Sequence, residues 1–112
     1  RRARQAARMR ALADGLVASD AALVLAGGDL NDVPPAPALA PLLGDGRWID
    51  PVAALPPELA WTWSGNGVMQ TLDHLLLPRA DAGAVVRAIV EGGGDVAAAS
   101  DHRPLVLDLW VP

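Results

Sequence analysis

Leu23-Val24-Leu25-Ala26-Gly27-Gly28-Asp29-Leu30-Asn31-Asp32 is the stretch on which the reading of this chain turns. From Ala21 to Ala26 the run is continuously apolar and rich in Val and Leu, which predicts a buried strand. Gly27 and Gly28 end it, so the polar residues that follow sit at a sheet edge, where ligands commonly bind. The glycines permit tight turning and close approach of a substrate. Strand alternation places Asp29 and Asn31 on the same side. A carboxylate there can orient or deprotonate a water, and an amide can donate to a phosphoryl oxygen. Taken alone, Asp-x-Asn is also what an Asx-turn at a strand end looks like. It is not an EF-hand loop, because the Gly at the sixth position and the Glu at the twelfth are missing.

Upstream, Arg1 to about Val17 predicts a helix, with strong helix formers and no Pro. Ala6, Met9, Ala13, Leu16 and Val17 recur at helical spacing as a core-facing stripe, and the Arg residues fall mostly on a solvated face. A helix followed closely by a buried strand is an α/β signal. Downstream, Pro34, Pro35, Pro37 and Pro41 leave room only for a short helix near Ala36–Leu43, and Pro51, Pro56 and Pro57 interrupt any regular element in residues 47–60. Trp61-Thr62-Trp63, the turn Gly65-Asn66-Gly67 and the run Met69 to Leu77 predict a hairpin of two strands. Ala84 to Val90 fits a strand or a helix, the strand being favoured because Gly92-Gly93-Gly94 closes it, with no helix pattern after the glycines, and Leu105 to Val111 reads as the last strand. There is no internal repeat and no linker, so residues 1–112 form one segment.

Two further polar islands accompany Asp29 and Asn31. Gln70-Thr71-Leu72-Asp73-His74 places a carboxylate inside an apolar strand, where it needs a partner or a metal if its face is buried. His74 points to the opposite face and reads as structural or exposed rather than catalytic. Ser100-Asp101-His102-Arg103-Pro104 reads as a loop from which Asp101 and His102 can both reach one site. A carboxylate neighbour can keep His102 protonated for a phosphate contact, or Asp101 can ligate Mg²⁺. Each island alone is also an ordinary turn or strand end.

Composition narrows the alternatives. At 112 residues and 52% hydrophobic, the chain can build a core, which argues against disorder. Lys is absent and all nine positive charges are Arg, a bias of bacterial type that reflects genome composition more than function. Formal net charge is −4, but Arg1, Arg2, Arg4, Arg8 and Arg10 leave four Arg against thirteen acids in residues 11–112, hence −9 there. Such an acidic body does not suit a protein that holds nucleic acid by phosphate neutralisation alone, although a metal can offset that charge. No run approaches the ~18 apolar residues of a membrane span, and no signal-type segment follows the Arg-rich start. With no Cys the compartment stays open, the cytoplasm being slightly favoured. Walker, GxGxxG, HExxH and GxSxG motifs are absent, a zinc site would need an Asp/Glu-rich ligand set, and the four Trp read as core and loop packing.

In order and spacing the three islands resemble the endonuclease/exonuclease/phosphatase superfamily. Gly28-Asp29-Leu30-Asn31 is similar to its Gly-Asp-Phe/Leu-Asn motif. Gln70 to Leu76 is similar to its Gln-x-x-Asp-Tyr-Ile-Leu strand, with His74 in place of the usual Tyr. Ser100 to Leu105 is similar to its Ser-Asp-His-x-Pro-Val/Leu ending. The resemblance implies an α/β (α+β) chain within a four-layer α/β/β/α sandwich, and Mg²⁺-dependent (or Mn²⁺-dependent) hydrolysis of a phosphate ester by activated water. It implies that Asp29 orients or activates the water, Asn31 binds the scissile phosphate and Asp73 orients a catalytic partner. Asp101 would bind the metal and tune His102, and His102 would contact the phosphate. The family's N-terminal half supplies a metal-binding Glu, an Asn and a further His, for which Glu58 and Glu91 lie in the wrong segments. The expectation is therefore the C-terminal half of such an enzyme, inactive when isolated, whose partner is the missing N-terminal half, in the same chain, a separate chain or a second copy. Its substrate would be nucleic acid, an inositol phosphate or a lipid head group. The alternative is a non-catalytic fragment or binding module that keeps the fold.

Overall fold

The computed structural model describes residues 1–20 and 23–111. The chain opens with helix α1 (Arg2–Ala18), which turns Ala6 and Ala13 inward. Strand β1 (Ala26–Asp29) follows. A short 3₁₀ turn (Pro37–Leu39) leads into helix α2 (Ala40–Leu43), then come strand β2 (Trp48–Ile49) and helix α3 (Pro57–Ala60). Strands β3 (Trp63–Gly65), β4 (Val68–Gln70) and β5 (Asp73–Pro78) come next. After a second 3₁₀ turn (Arg79–Ala84), strand β6 (Val85–Val90), helix α4 (Gly94–Ala99) and strand β7 (Leu105–Leu109) complete the chain.

All pairings among the described residues are antiparallel. β5 lies between β1 and β2, β3 pairs with β4, and β6 pairs with β7. Helices and antiparallel sheets thus give the mixed α+β class. The core lies between α1, α2 and the sheet, where Ala6, Ala13, Val24, Leu42, Trp48 and Leu76 cluster. Polar ties close it from outside. Arg10 bonds both Asp14 (2.8 Å) and Asp45 (2.8 Å), and the indole N–H of Trp48 donates to Asp14 (3.0 Å). Arg10 is therefore bound to the fold and is not on the solvated face assigned to it.

Several sequence expectations are displaced by tertiary pairing. The strand expected at Ala21–Ala26, whose first two residues lie outside the described set, forms at Ala26–Asp29, because β5 pairs with the glycines themselves: Gly27 lies opposite Leu75 and Gly28 opposite His74. A Cβ on Gly27 would stand 2.2 Å from the His74 carbonyl oxygen. Its close approach is thus to β5, not to a substrate. Leu16 and Val17 are exposed and do not join the core stripe. The hairpin forms at β3 and β4 around the two-residue turn Asn66-Gly67, both with positive φ (51° and 76°), as a primed turn requires. The expected single strand from Met69 to Leu77 is broken at Thr71-Leu72, after which β5 joins a different sheet. Pro57 starts α3 instead of interrupting it, since a first-turn proline has no N–H to lose. Gly94 opens helix α4, where no helix was expected, because Asp-Val-Ala-Ala-Ala is too short to show a period.

Candidate active site

Asp29 and Asp73 are directly opposed in the β1–β5 ladder, so their side chains project from the same face. Two facing carboxylates repel unless a cation sits between them. His102 takes that place. Its Nδ1 lies 2.7 Å from Asp73 Oδ2, and its Nε2 faces Asp29 Oδ2 at 3.9 Å. Ligand atoms of Asp29, Asp73 and His102 all lie within 4.8 Å of one another. The Asp73 hydrogen bond chiefly, then the charges of Asp73, Asp29 and Asp101, raise the His102 pKa above its ordinary value against a smaller opposing effect of burial. The imidazolium is the form favoured between these acids.

Local backbone chemistry delivers each group. Asp29 is the last residue of β1, and its Oδ1 accepts the Asn31 N–H (2.9 Å). The chain turns there, with Asn31 at φ 56°. The alternation expected for Asp29 and Asn31 therefore stops at Asp29, and an Asx-turn replaces it. Both residues nevertheless line one cleft of about 390 Å³, with Asp32, Trp63, Gln70 and His102. Asp73 is held from behind by Thr62, fully buried, whose Oγ1 accepts the N–H groups of Leu72 (3.0 Å) and Asp73 (3.1 Å). His102 is placed by its bridge to Trp63, by the Arg103 N–H donating to the Thr62 carbonyl (2.7 Å), and by its own N–H donating to Ser100 Oγ (3.0 Å).

Asp101 is brought to the rim and not into the triad. Its Oδ2 accepts the Trp63 indole N–H (3.3 Å), and its exposed side lines a smaller cavity of about 210 Å³ with Trp61, Ser100 and Arg103. The Trp63 ring lies across Gly65, where a Cβ would come within 2.5 Å of it. Trp63 thus walls the cleft, in addition to packing. The Arg103 guanidinium stacks 3.3 Å above the Trp61 ring, in the room that Gly92 leaves by lacking a side chain.

Sequence reasoning passed over four residues that build this site: Thr62, Trp63, Arg2 and Asp50. Arg2 donates to the Asn31 carbonyl (2.7 Å) and lies 3.1 Å from the Asp32 carboxylate. Asp50 holds His74, which is structural and fully buried, the first of the two roles expected for it. None of the four carries a motif. Only the alternation Asp73-His74 within apolar neighbours hinted that one polar group faced the core.

Asp29, Asn31, Asp73, Asp101 and His102 all fall within the span of a known family. Residues 1–102 match the model of the Endonuclease/Exonuclease/phosphatase family. The chain belongs to that family. A comparison with curated proteins gave no match. The endonuclease/exonuclease/phosphatase family includes hydrolases of phosphate esters and is typically metal-dependent, and the grouping of Asp29, Asp73 and His102 includes carboxylate oxygens of the kind a divalent cation takes. No helix among the described residues is long and apolar enough to cross a membrane.

Proposed function

We propose that the protein is a metal-dependent phosphoesterase and that this chain supplies the C-terminal half of its active site, within a four-layer α/β/β/α sandwich. The reading is carried by one observation: Asp29, Asp73 and His102 converge within 4.8 Å, and two of them, Asp29 and His102, line one open cleft with Asn31.

In this reading Asp73 keeps the His102 ring fixed through Nδ1, leaving Nε2 to donate to a phosphoryl oxygen and to stabilise the charge that develops there. One oxygen of Asp29 is engaged by the Asn31 N–H, so the other is the base that orients and deprotonates the attacking water. The Asn31 side-chain amide donates to the scissile phosphate. Mg²⁺ binds through one or two carboxylates together with water and substrate phosphate; in this reading Asp101, at the rim, would be the carboxylate this chain contributes. The metal, Mg²⁺ or Mn²⁺, would supply Lewis-acid stabilisation of the phosphoryl oxygens. The substrate is a phosphodiester or phosphomonoester: nucleic acid, an inositol phosphate or a lipid head group.

A panel of these esters, incubated with the full-length protein in Mg²⁺ and in EDTA, tests the proposal. Hydrolysis of at least one, abolished by EDTA and restored by Mg²⁺, is expected. Failure on every ester would leave the alternative, a binding module that keeps the fold.

A further inference from the structure

On the far face of β5 lies a second polar assembly that the chemistry above does not use. His74 is paired with Gly28 in the ladder, and its side chain points away from the cleft into the core beside Leu72 and Leu76. Its side chain is fully enclosed and that of Asp50 is 4% exposed. Nδ1 meets Asp50 Oδ2, and Nε2 meets the Asp32 carbonyl oxygen at 2.9 Å. A carbonyl only accepts, so Nε2 must carry a hydrogen and donate it. An apolar side chain here would avoid the desolvation cost of a buried ionisable pair. Asp50 alone would leave Nε2 of this buried ring without a partner, so the second nitrogen needs one of its own. That partner is a backbone group 42 residues away in sequence.

That backbone group belongs to the turn that carries Asn31. Asn31 adopts φ 56°, and its N–H is bonded to Asp29. Arg2 holds the same turn from outside, through the Asn31 carbonyl and the Asp32 carboxylate. The turn is therefore tied from both sides, and its inner tie is the buried pair.

We propose that His74 and Asp50 are positioning residues for the active site: through the Asp32 carbonyl they lock the Asp29–Asp32 turn, and with it the Asn31 amide, against the cleft. Neither touches substrate. The inference rests on the phosphoesterase reading for Asn31, but its structural core does not.

Two measurements on the full-length protein separate these levels. Hydrogen exchange is compared in wild type, His74→Leu and Asp50→Asn. The Asn31 amide is expected to exchange about tenfold faster or more in both variants, with the β5 amides unchanged, since opening of the turn is local. Should His74→Leu fail to fold, Asp50→Asn preserves shape and carries the comparison. Turnover of bis(4-nitrophenyl) phosphate with Mg²⁺ is then measured for Asp50→Asn alone and in an Asn31→Ala background. A loss of about tenfold is expected alone, with no further loss once Asn31 is gone. Unchanged Asn31 exchange, exchange that quickens uniformly across β5, or losses that simply add in the double variant would overturn the proposal. If the wild type hydrolyses neither this diester nor any ester of the panel, the phosphoesterase reading fails, and the exchange comparison still decides the positioning role.

Discussion

Asp73 and His74 are neighbours that face opposite sides of one strand, and the two sides have opposite needs. On the cleft side the Asp73 carboxylate raises the His102 pKa. In Asp73→Asn the hydrogen-bond acceptor stays but its charge goes, so His102 should lose its proton at lower pH. Titration of the His102 ring by NMR should show a midpoint above 6.5 in the wild type and a lower one in the variant; equal midpoints would contradict the assignment. Thr62 sets the other end of this contact. Thr62→Val leaves two N–H groups at the start of β5 without their acceptor, at a cost of about 1–3 kcal/mol, which urea unfolding would measure. The motif residues were legible because their chemistry is unusual in an apolar chain. Thr62 and Asp50 were not, because a Thr between two Trp looks like any strand residue, and an Asp before a Pro like any loop residue, until the fold supplies its partner.

At the scale of elements, the β1–β5 ladder makes the site: its register sets Asp29 against Asp73 on the front and Gly28 against His74 on the back. Gly27 is the residue that lets the two strands meet. Gly27→Ala should push β1 off β5, since its Cβ would stand 2.2 Å from backbone oxygen. Overpacking of this kind typically costs ~1–3 kcal/mol or more, and a thermal melt unchanged from wild type would refute the close-approach role. Most elements could be read from composition and turn residues: α1, the Asn66-Gly67 hairpin and β7 lie close to where they were expected. The glycines of β1 could not be assigned to a strand, because glycine weakens a strand on its own and is retained here by the needs of β5. The break between β4 and β5 was hidden for a similar reason. Thr71 bonds the Ala60 carbonyl (2.8 Å) rather than a strand neighbour, a partner set by tertiary structure alone.

The whole molecule exposes 6871 Å², against about 5,800 Å² expected of a compact monomer of its 11.6 kDa mass. Part of the excess is an apolar groove of about 770 Å³ between α1 and the residues leading into β1, lined by Met9, Leu12, Leu16 and Leu25. This supports the proposal that the chain is half of a larger domain. Stability should also depend on pH in a defined sense. Burial pulls the His74 pKa down, but the bond with Asp50, the Asp32 carbonyl and the charges of Asp50 and Asp73 together leave it raised above 6.5. Stability from that pair is complete below 6.5 and is lost as pH rises through the folded value. At the acid end, hydrogen bonds from the Arg10 side chain and the Arg47 backbone hold Asp45 at about 2, so its smaller, exposed contribution is present above 3.8 and fades as pH falls toward 2. Melting temperature should therefore decline on the alkaline side, and Asp50→Asn should flatten that decline. A decline of the same slope in the variant would assign it to other groups.

The most direct measurement is kcat/KM of the full-length protein for a hydrolysed phosphate ester in Mg²⁺, compared with Asp29→Ala and His102→Ala. Each variant removes a group placed at the reacting phosphate, so each should lose about 10²-fold or more while still folding, because both side chains are part-exposed. Turnover unchanged in both variants would contradict the assignment of the Asp29, Asp73 and His102 cleft as the site of phosphate-ester hydrolysis.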